Sequence, residues 1–150
     1  MDNEIKILVC VDLSDATEII MEKTESLAKR LSAKVWLLHN ALPEPGKVEF
    51  KVDPIAARED LAKRYHDEHR QIQELAQRLR DSGIESSSLL VHGATVESIL
   101  TEAADLGVDM IIVGSHGRSA MFQLLLGSVS EGVLHKSRLP VLVIPTHKRG

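Results

Sequence analysis

Short apolar runs alternate along the chain with longer segments in which apolar residues recur every three or four positions. The runs at residues 5–11, 34–41, 84–93, 108–114 and 140–145 are bounded by charged or turn-forming residues and are predicted to be strands. The run at 5–11 lacks the polar alternation of a half-exposed strand, which indicates a strand buried on both faces.

The segments between these runs are predicted to be four helices. In the first, within residues 12–33, Asp15 and Glu18 have the spacing of a capping box. Its expected inner face comprises Ile20, Thr24, Leu27, Ala28 and Leu31. Residues 42–54, which contain three of the five prolines, are predicted to be a loop or excursion.

The second helix is predicted to be long and amphipathic, from about residue 55 to 81, where Ser82 and Gly83 end it. A third helix at 95–107 ends at Gly107, and a fourth extends from about Ser128 to Lys136. The inner stripe of the long helix is expected to comprise Leu61, Ile72, Leu75, Ala76 and Leu79.

This alternation predicts one α/β domain over residues 1–150. Parallel strands need crossover connections, which are usually helical, so we expect a five-stranded parallel sheet with helices on both faces. With the expected strand order 3-2-1-4-5, the winding reverses between strands 1 and 4, and a crevice opens at their carboxyl ends. Those ends carry Asp12 and Gly114, so two polar or glycine-bearing turns converge there.

Composition narrows the possible partners. The 150 residues are 43% hydrophobic and 27% charged, as is usual for a single globular domain. Aromatic residues make up only 3%, too few for a platform that stacks nucleic-acid bases. The net charge of −4 disfavours DNA and anionic membranes. We therefore expect neither nucleic acid nor membrane as a partner.

The single cysteine, Cys10, excludes an internal disulfide, and no Cys/His set has zinc-binding spacing. The first residues carry acidic groups before a short apolar run, unlike a secretory signal. We therefore expect a cytoplasmic protein.

Three glycines and a serine near the fourth strand form the strongest candidate site. Gly114 ends the strand, Gly117 follows, and Gly127-Ser128 precedes the last helix, giving the pattern G-x2-G-x9-G-S. Glycines at a strand-to-helix turn also occur for geometry alone, so a purely structural role is the alternative. Neither a Walker A sequence nor G-x-G-x-x-G occurs, which disfavours a conventional P-loop hydrolase or dinucleotide enzyme.

The start of the last helix has the properties of a phosphate site. Backbone N–H groups there lack intrahelical acceptors, and the helix dipole favours negative charge. Gly127 allows close approach to the main chain. The hydroxyls of Ser128 and Ser130 can add hydrogen bonds. The expected amide donors are Ser128, Val129 and Ser130.

These motifs together resemble the universal stress protein family over essentially the whole chain. The matching stretches are "ILVCVDLS", "LLH", "HGATVESIL" and "GSHGR" followed by "GSVSEGVLHKSRLPVLVIP". The family's ATP-binding branch carries G-x2-G-x9-G-[ST], and this chain matches every fixed position. The resemblance implies a Rossmann-like fold of the adenine nucleotide alpha hydrolase-like type, and a homodimer joined through the last strand, here Val141 to Ile144.

The resemblance also implies roles for individual residues. Asp12 would bond the adenosine portion and Val11 would line the adenine pocket. Asn40 stands where an aliphatic residue typically meets adenine, and its backbone could read the adenine edge, while Cys10 replaces a common Pro or Ala. The ribose and phosphates would be held by Gly114, Gly117, Gly127, Ser128, Val129 and Ser130.

Other residues have both a functional and a structural interpretation. Arg118 could pair with a phosphate or be a surface arginine. His66 and His69 lie one helical turn apart, a spacing that can hold a metal but is more often just a charged face. Ser115 beside His116 lacks the third group of a catalytic triad.

Two further residues near the proposed pocket have an ordinary structural interpretation. Cys10 ends a buried strand, where a small apolar role is usual and redox sensing is the minor alternative. Asp12 could simply form a turn. No residue is assigned as catalytic or as a metal ligand.

The resulting hypothesis is a homodimeric sensor or switch that binds ATP, AMP or another adenylate, accompanied by Mg²⁺, with slow or no hydrolysis and an unknown signalling partner. Two alternatives remain open. One is a ligand-free dimeric scaffold that acts through protein partners. The other is a weak ATP hydrolase or phosphotransferase that uses Asp12 and a metal.

Overall fold

Helices and strands alternate along the chain. The computed structural model describes residues 3–41, 54–92, 95–115 and 127–146. Within these ranges every predicted element is present, with strand ends moved by one or more residues. The elements are β1 (Lys6–Cys10), α1 (Thr17–Leu31), β2 (Lys34–Asn40), α2 (Pro54–Asp81), β3 (Ser86–Val91), α3 (Thr95–Leu106), β4 (Met110–Gly114), α4 (Ser128–Lys136) and β5 (Val141–Ile144). Of the loop predicted at 42–54, residues 42–53 lie outside the described residues, and Pro54 is the first residue of α2.

The five strands form one parallel sheet in the order β3-β2-β1-β4-β5, which confirms the predicted Rossmann-like topology. In the centre, Val9 of β1 pairs with Leu37 of β2 on one side and Ile112 of β4 on the other. Strands β1 and β4 are therefore neighbours, and their carboxyl ends lie at the same edge of the sheet. This is the point where the winding reverses.

Helices cover both faces of the sheet. Alternate residues of β1 enter separate cores: Ile7 and Val9 pack beneath α1 and α2, whereas Leu8 packs beneath α3 and α4. Because both faces of β1 are buried, its sequence after Lys6 is an unbroken apolar run. The largest fully buried side chains include Ile7, Leu8, Met21, Leu37, Ile72, Ile99, Ile111 and Ile112.

The first helix begins differently from the sequence prediction. Its N-cap is Ala16, and no side chain caps it, so the predicted capping box of Asp15 and Glu18 is wrong. The preceding turn bonds within itself instead, because the Ser14 hydroxyl accepts from the Ala16 N–H and the Ser14 carbonyl accepts from the Thr17 N–H. Its inner face is as predicted, with Ile20, Thr24 and Ala28 buried and Leu27 and Leu31 half-buried.

The long helix α2 extends past the sheet that it covers. Its 28 residues span about 42 Å, whereas the seven residues of β2 span about 23 Å. Ile72, Ala76 and Leu79 are buried and Leu75 is half-buried, as predicted, but Leu61 is 38% exposed. Within the described ranges, no helix is both long and apolar enough to cross a membrane.

A two-pronged ion pair joins α1 to α2 on the surface. The Arg78 guanidinium donates from both terminal nitrogens to the Glu18 carboxylate, at 2.8 and 2.9 Å. These hydrogen bonds hold the pKa of Glu18 below its ordinary value of 4.5. The contribution of Glu18 to folding is therefore fully present above pH 4.5 and is lost as the pH falls through the lowered pKa.

We expect the Glu18→Gln variant to unfold at lower urea concentration than the wild-type protein at pH 7. The difference should shrink as the pH falls below 4.5 and the wild-type carboxylate takes up a proton. Urea titrations at several pH values measure both midpoints, with Glu59→Gln, an exposed carboxylate elsewhere on α2, as the control. A difference that persists unchanged at pH 2 would contradict this account of the ion pair.

Candidate functional site

The carboxyl ends of β1 and β4 bring two predicted site segments side by side. The pairing of Val9 with Ile112 sets the register. Carried two residues further along both strands, this register sets Val11 level with Gly114. The turn after β1, which contains Asp12, therefore lies next to the end of β4, as the sequence predicts.

The start of α4 is attached to the end of β4. The Gly127 N–H donates to the Ser115 carbonyl at 2.8 Å, and the Ser130 hydroxyl donates to the Gly114 carbonyl. The chain thus returns at Gly127 to the point that it left at Ser115. These two hydrogen bonds fix the first turn of α4 at the carboxyl edge of the sheet.

No described side chain caps the amino end of α4, and its N-cap is Gly127. The first intrahelical bond runs from the Glu131 N–H to the Gly127 carbonyl at 2.9 Å. The three preceding amides have no intrahelical acceptor and, with the helix dipole, favour an anion. These are the amides of Ser128, Val129 and Ser130, the donors that the sequence predicts.

One predicted donor is already engaged. The hydroxyl of Ser130 has a single hydrogen, and the Gly114 carbonyl accepts it. The expectation that this hydroxyl donates to a phosphate is therefore corrected, and the contribution of Ser130 narrows to its amide. The Ser128 side chain is exposed and has no such partner among the described residues.

Gly114 is explained by packing. A Cβ at this position would lie 2.9 Å from Ile20 Cδ1 and 3.1 Å from Thr146 Cγ2. The space that a side chain would need is therefore filled by the protein itself, and the Gly114 carbonyl accepts from Ser130. Gly114 therefore has a role in close packing between β4 and its neighbours, and its contact with ribose or phosphate stays a prediction.

Asp12 forms a compact turn with Ser14. One oxygen of its carboxylate accepts from the Ser14 N–H at 3.0 Å and also from the Ser14 hydroxyl. This is the turn chemistry that the sequence offers as the structural interpretation of Asp12. The adenosine contact of Asp12 stays a prediction.

Val11 and Asn40 differ in what they offer a ligand. The side chain of Val11 is buried in the core beneath α1 and α2, and its contact with adenine stays a prediction. Both polar atoms of the Asn40 carboxamide are buried and have no hydrogen-bond partner among the described residues. Leaving such groups unpaired costs on the order of 1–3 kcal/mol. Among the described site residues, Asn40 therefore has the most hydrogen-bonding capacity left unused.

Sequence reasoning missed a buried charged contact beneath this edge. His39 of β2 and Glu68 of α2 are 5% and 6% exposed, and His39 Nε2 lies 3.3 Å from Glu68 Oε2. The other ring nitrogen of His39, Nδ1, lies 3.0 Å from the Val11 carbonyl oxygen. The available signal was the helical period of Ile72, Ala76 and Leu79, which extends back to Glu68 and marks an acid on the inner face.

The remaining sequence candidates are structural or lie outside the described residues. Ser115 is 7% exposed and its hydroxyl accepts from the Thr146 N–H at 3.0 Å, so it is placed for packing rather than for attack on a substrate. Burial raises the pKa of the Cys10 thiol from 9.0 to about 12, which disfavours redox sensing.

His66 and His69 are exposed on α2. No group of three potential metal ligands is found among the described side chains. Gly117, Arg118 and His116 fall within 116–126, outside the described ranges.

Comparison with known sequences gives a consistent result. The model of the Universal stress protein family matches residues 5–145. The chain is 34% identical over 146 residues to universal stress protein A homolog 2 of Coxiella burnetii, covering 96% of this chain and 97% of that protein. It is 42% identical over 73 residues to universal stress protein MJ0577 of Methanocaldococcus jannaschii, a match covering 49% of this chain and 45% of that protein.

Solved structures share the fold. The structure of MJ0577 superposes with a TM-score of 0.76 at 32% identity, covering 97% of this chain and 98% of that chain. A universal stress protein in complex with cAMP gives 0.66 at 22% identity, covering 97% and 100%. The universal stress protein of Archaeoglobus fulgidus in complex with dAMP gives 0.60 at 21% identity, covering 96% and 99%.

Proposed function

The chain belongs to the universal stress protein family, and on this premise we propose that it binds an adenine nucleotide, such as ATP or AMP, at the carboxyl edge of its sheet. One observation carries the proposal. The amino end of α4 begins at a glycine, has no described side-chain cap, and is attached by two hydrogen bonds to the end of β4. A fixed, uncapped helix start is suited to hold phosphate.

In this proposal the phosphates bind the first turn of α4 and the adenosine extends toward the end of β2. Asp12 takes the sugar, and the buried Asn40 carboxamide, which offers a donor and an acceptor, lies at the end of β2, the strand next to β1. Two family members have been solved in complex with cAMP and dAMP, at 22% and 21% identity to this chain, and they support an adenylate as the ligand. The residues proposed to bind are Val11, Asp12, Asn40, Gly114, Gly117, Arg118, Gly127, Ser128, Val129 and Ser130.

The remaining parts of the proposal concern context. Mg²⁺ accompanies the phosphates, because cellular ATP carries it. The protein acts in the cytoplasm as a homodimeric sensor or switch in a stress response, with slow or no hydrolysis. The dimer forms through β5, an edge strand on which Leu142 is 39% exposed. Such an unpaired edge is ready to add a strand from a second copy.

A second function, a ligand-free dimeric scaffold, is favoured by two observations. The side chains of Ile20 and Thr146 account for Gly114 without a ligand, and Ser14 accounts for one oxygen of Asp12. In this case the glycines serve the geometry of the loop, and no ligand pairs with the Asn40 carboxamide.

Equilibrium dialysis of the purified protein against ATP, AMP and GTP distinguishes the two functions. We expect about one adenylate retained per chain and weaker retention of GTP. A pure, folded protein that retains no adenylate would contradict the nucleotide proposal and favour the scaffold. Phosphate release by wild-type and Asp12→Asn proteins tests the hydrolase alternative, which requires a clear loss in the variant.

A further inference from the structure

His39 and Glu68 form a buried contact between β2 and α2 that the proposed function does not use. Their side chains are 6% and 8% exposed, and Nε2 of His39 lies 3.3 Å from Oε2 of Glu68. The other carboxylate oxygen of Glu68 accepts from Arg64 Nε at 3.2 Å. Neither Nε2 nor Oε2 has a hydrogen-bond partner among the described residues, so the two buried atoms face each other without a formed hydrogen bond.

The contacts of His39 determine where its protons lie. Nδ1 is 3.0 Å from the Val11 carbonyl oxygen, which can only accept, so Nδ1 carries a hydrogen. In a neutral ring Nε2 would then hold a lone pair, facing a carboxylate oxygen 3.3 Å away in a buried place. Two buried acceptors facing each other are unfavourable. One proton between Nε2 and Glu68 removes the conflict.

Arg64 holds Glu68 from the other side. Its Nε lies 3.2 Å from Glu68 Oε1, so the carboxylate is fixed between this guanidinium and the ring of His39. Within the described structure, the charged groups at the ring are Glu68 and, beyond it, Arg64, both from α2, while β1 contributes the neutral Val11 carbonyl.

The same ring holds the end of β1. The Val11 N–H donates to the Leu38 carbonyl at 2.9 Å, and the Val11 carbonyl accepts from His39. Both polar groups of Val11 are thus bonded to β2. Because the Val11 carbonyl shares a peptide plane with the Asp12 N–H, the ring sets the orientation of the first peptide of the Asp12 turn.

We propose that His39 is a positioning residue of the nucleotide site: held between Glu68 and the Val11 carbonyl, it fixes the Val11–Asp12 peptide at the carboxyl edge of the sheet. This inference rests on the proposed function for its effect on ligand binding. The contacts of the ring and the orientation of the peptide do not depend on a ligand. The effect on ligand binding and the positioning of the peptide can therefore be refuted separately.

Nitrogen NMR of the imidazole ring tests the contact with Val11 directly. At pH 7.5 the wild-type protein should show a hydrogen on Nδ1 of His39, the nitrogen that faces the Val11 carbonyl. In Glu68→Gln this hydrogen should remain. A wild-type ring that lacks the Nδ1 hydrogen would overturn the argument.

Two substitutions at His39 test the positioning. His39→Asn keeps a donor near the place of Nδ1, whereas His39→Leu removes it. We expect His39→Leu to shift the Asp12 backbone amide resonance and to weaken AMP binding about tenfold, and His39→Asn to restore most of both. Equal AMP affinity and equal Asp12 resonances in wild-type and His39→Leu proteins would overturn the positioning role, as would a His39→Asn protein as impaired as His39→Leu.

The outcomes separate this inference from the proposed function. A wild-type protein that retains no AMP refutes nucleotide binding, and the Asp12 resonances then decide whether His39 orients the turn. A wild-type protein that binds AMP, with no difference among the His39 variants, refutes only the positioning. If His39→Leu does not fold, the comparison of wild-type, His39→Asn and Glu68→Gln proteins still decides, because Glu68→Gln should shift the Asp12 resonance in the same direction, by a smaller amount.

Discussion

Replacing Gly127 with aspartate is expected to weaken ATP binding at least tenfold while making the folded protein slightly more stable. Gly127 is the N-cap of α4, with φ −58° and ψ 152°, an extended conformation that any residue adopts without strain. An aspartate there can accept from the first-turn amides and place a negative charge at the positive end of the helix. The expected gain is about 0.5 kcal/mol in the free energy of unfolding.

The loss of binding has two causes that a matched variant separates. The new carboxylate would occupy the amides that the phosphates need, and it would repel phosphate charge. Gly127→Asn caps the helix without adding charge, so its ATP affinity should fall less than that of Gly127→Asp. Isothermal titration with ATP measures the affinities, and urea unfolding measures the stabilities.

The opposite signs of the two effects make the result specific to this site. A variant that merely damaged the fold would lose stability and binding together. Stabilisation of Gly127→Asp with unchanged ATP affinity would show that the amides of α4 are not the phosphate site. That result would favour the scaffold.

The fold was predictable because its signals are local. The unbroken apolar run of β1 reflects burial on both faces, and the helical period of Ile72, Ala76 and Leu79 reflects one continuous inner face on α2. The start of α4 at Ser128 follows from the glycine before it. In each case neighbouring residues in the sequence carry the information.

The predictions that failed concern residues with competing hydrogen-bond partners, or burial that depends on parts of the chain far away in the sequence. Asp15 and Glu18 have capping spacing, but Ser14 bonds to the turn amide first and Glu18 pairs with Arg78 instead. Leu61 fits the helical period of α2, but it lies in the part of the helix that extends beyond the sheet. Periodicity shows which face of a helix points inward, but it does not show where the sheet beneath the helix ends.

The site was predicted only in part for the same reason. The sequence cannot show that Ile20 and Thr146, 94 residues before Gly114 and 32 after it in the chain, fill the space beside that glycine. Nor can it show that Glu68 meets His39 across 29 residues of chain. Both are tertiary contacts, and they change the roles of residues that the motifs single out.

Replacing Gly132 with alanine is expected to lower the free energy of unfolding by about 1 kcal/mol, against the usual trend for a helix interior. A Gly→Ala change within a helix ordinarily gains up to about 1 kcal/mol. Here the added Cβ would lie 2.7 Å from Val96 Cγ2, where α3 and α4 pack together. Valine is stiff in a helix, so it cannot turn away, and overpacking of this kind costs about 1–3 kcal/mol.

A double-mutant cycle tests whether this contact is the cause. In a Val96→Ala background the obstructing methyl is gone, so Gly132→Ala should become stabilising by about 1 kcal/mol, a coupling of about 2 kcal/mol. Gly107→Ala is the control: it has φ +64° with nothing within 4 Å, so it should destabilise by strain alone. Its effect should add to that of Val96→Ala, since the two positions lie about 16 Å apart along α3. Additive effects at Gly132 and Val96 would show that the helices yield at this contact.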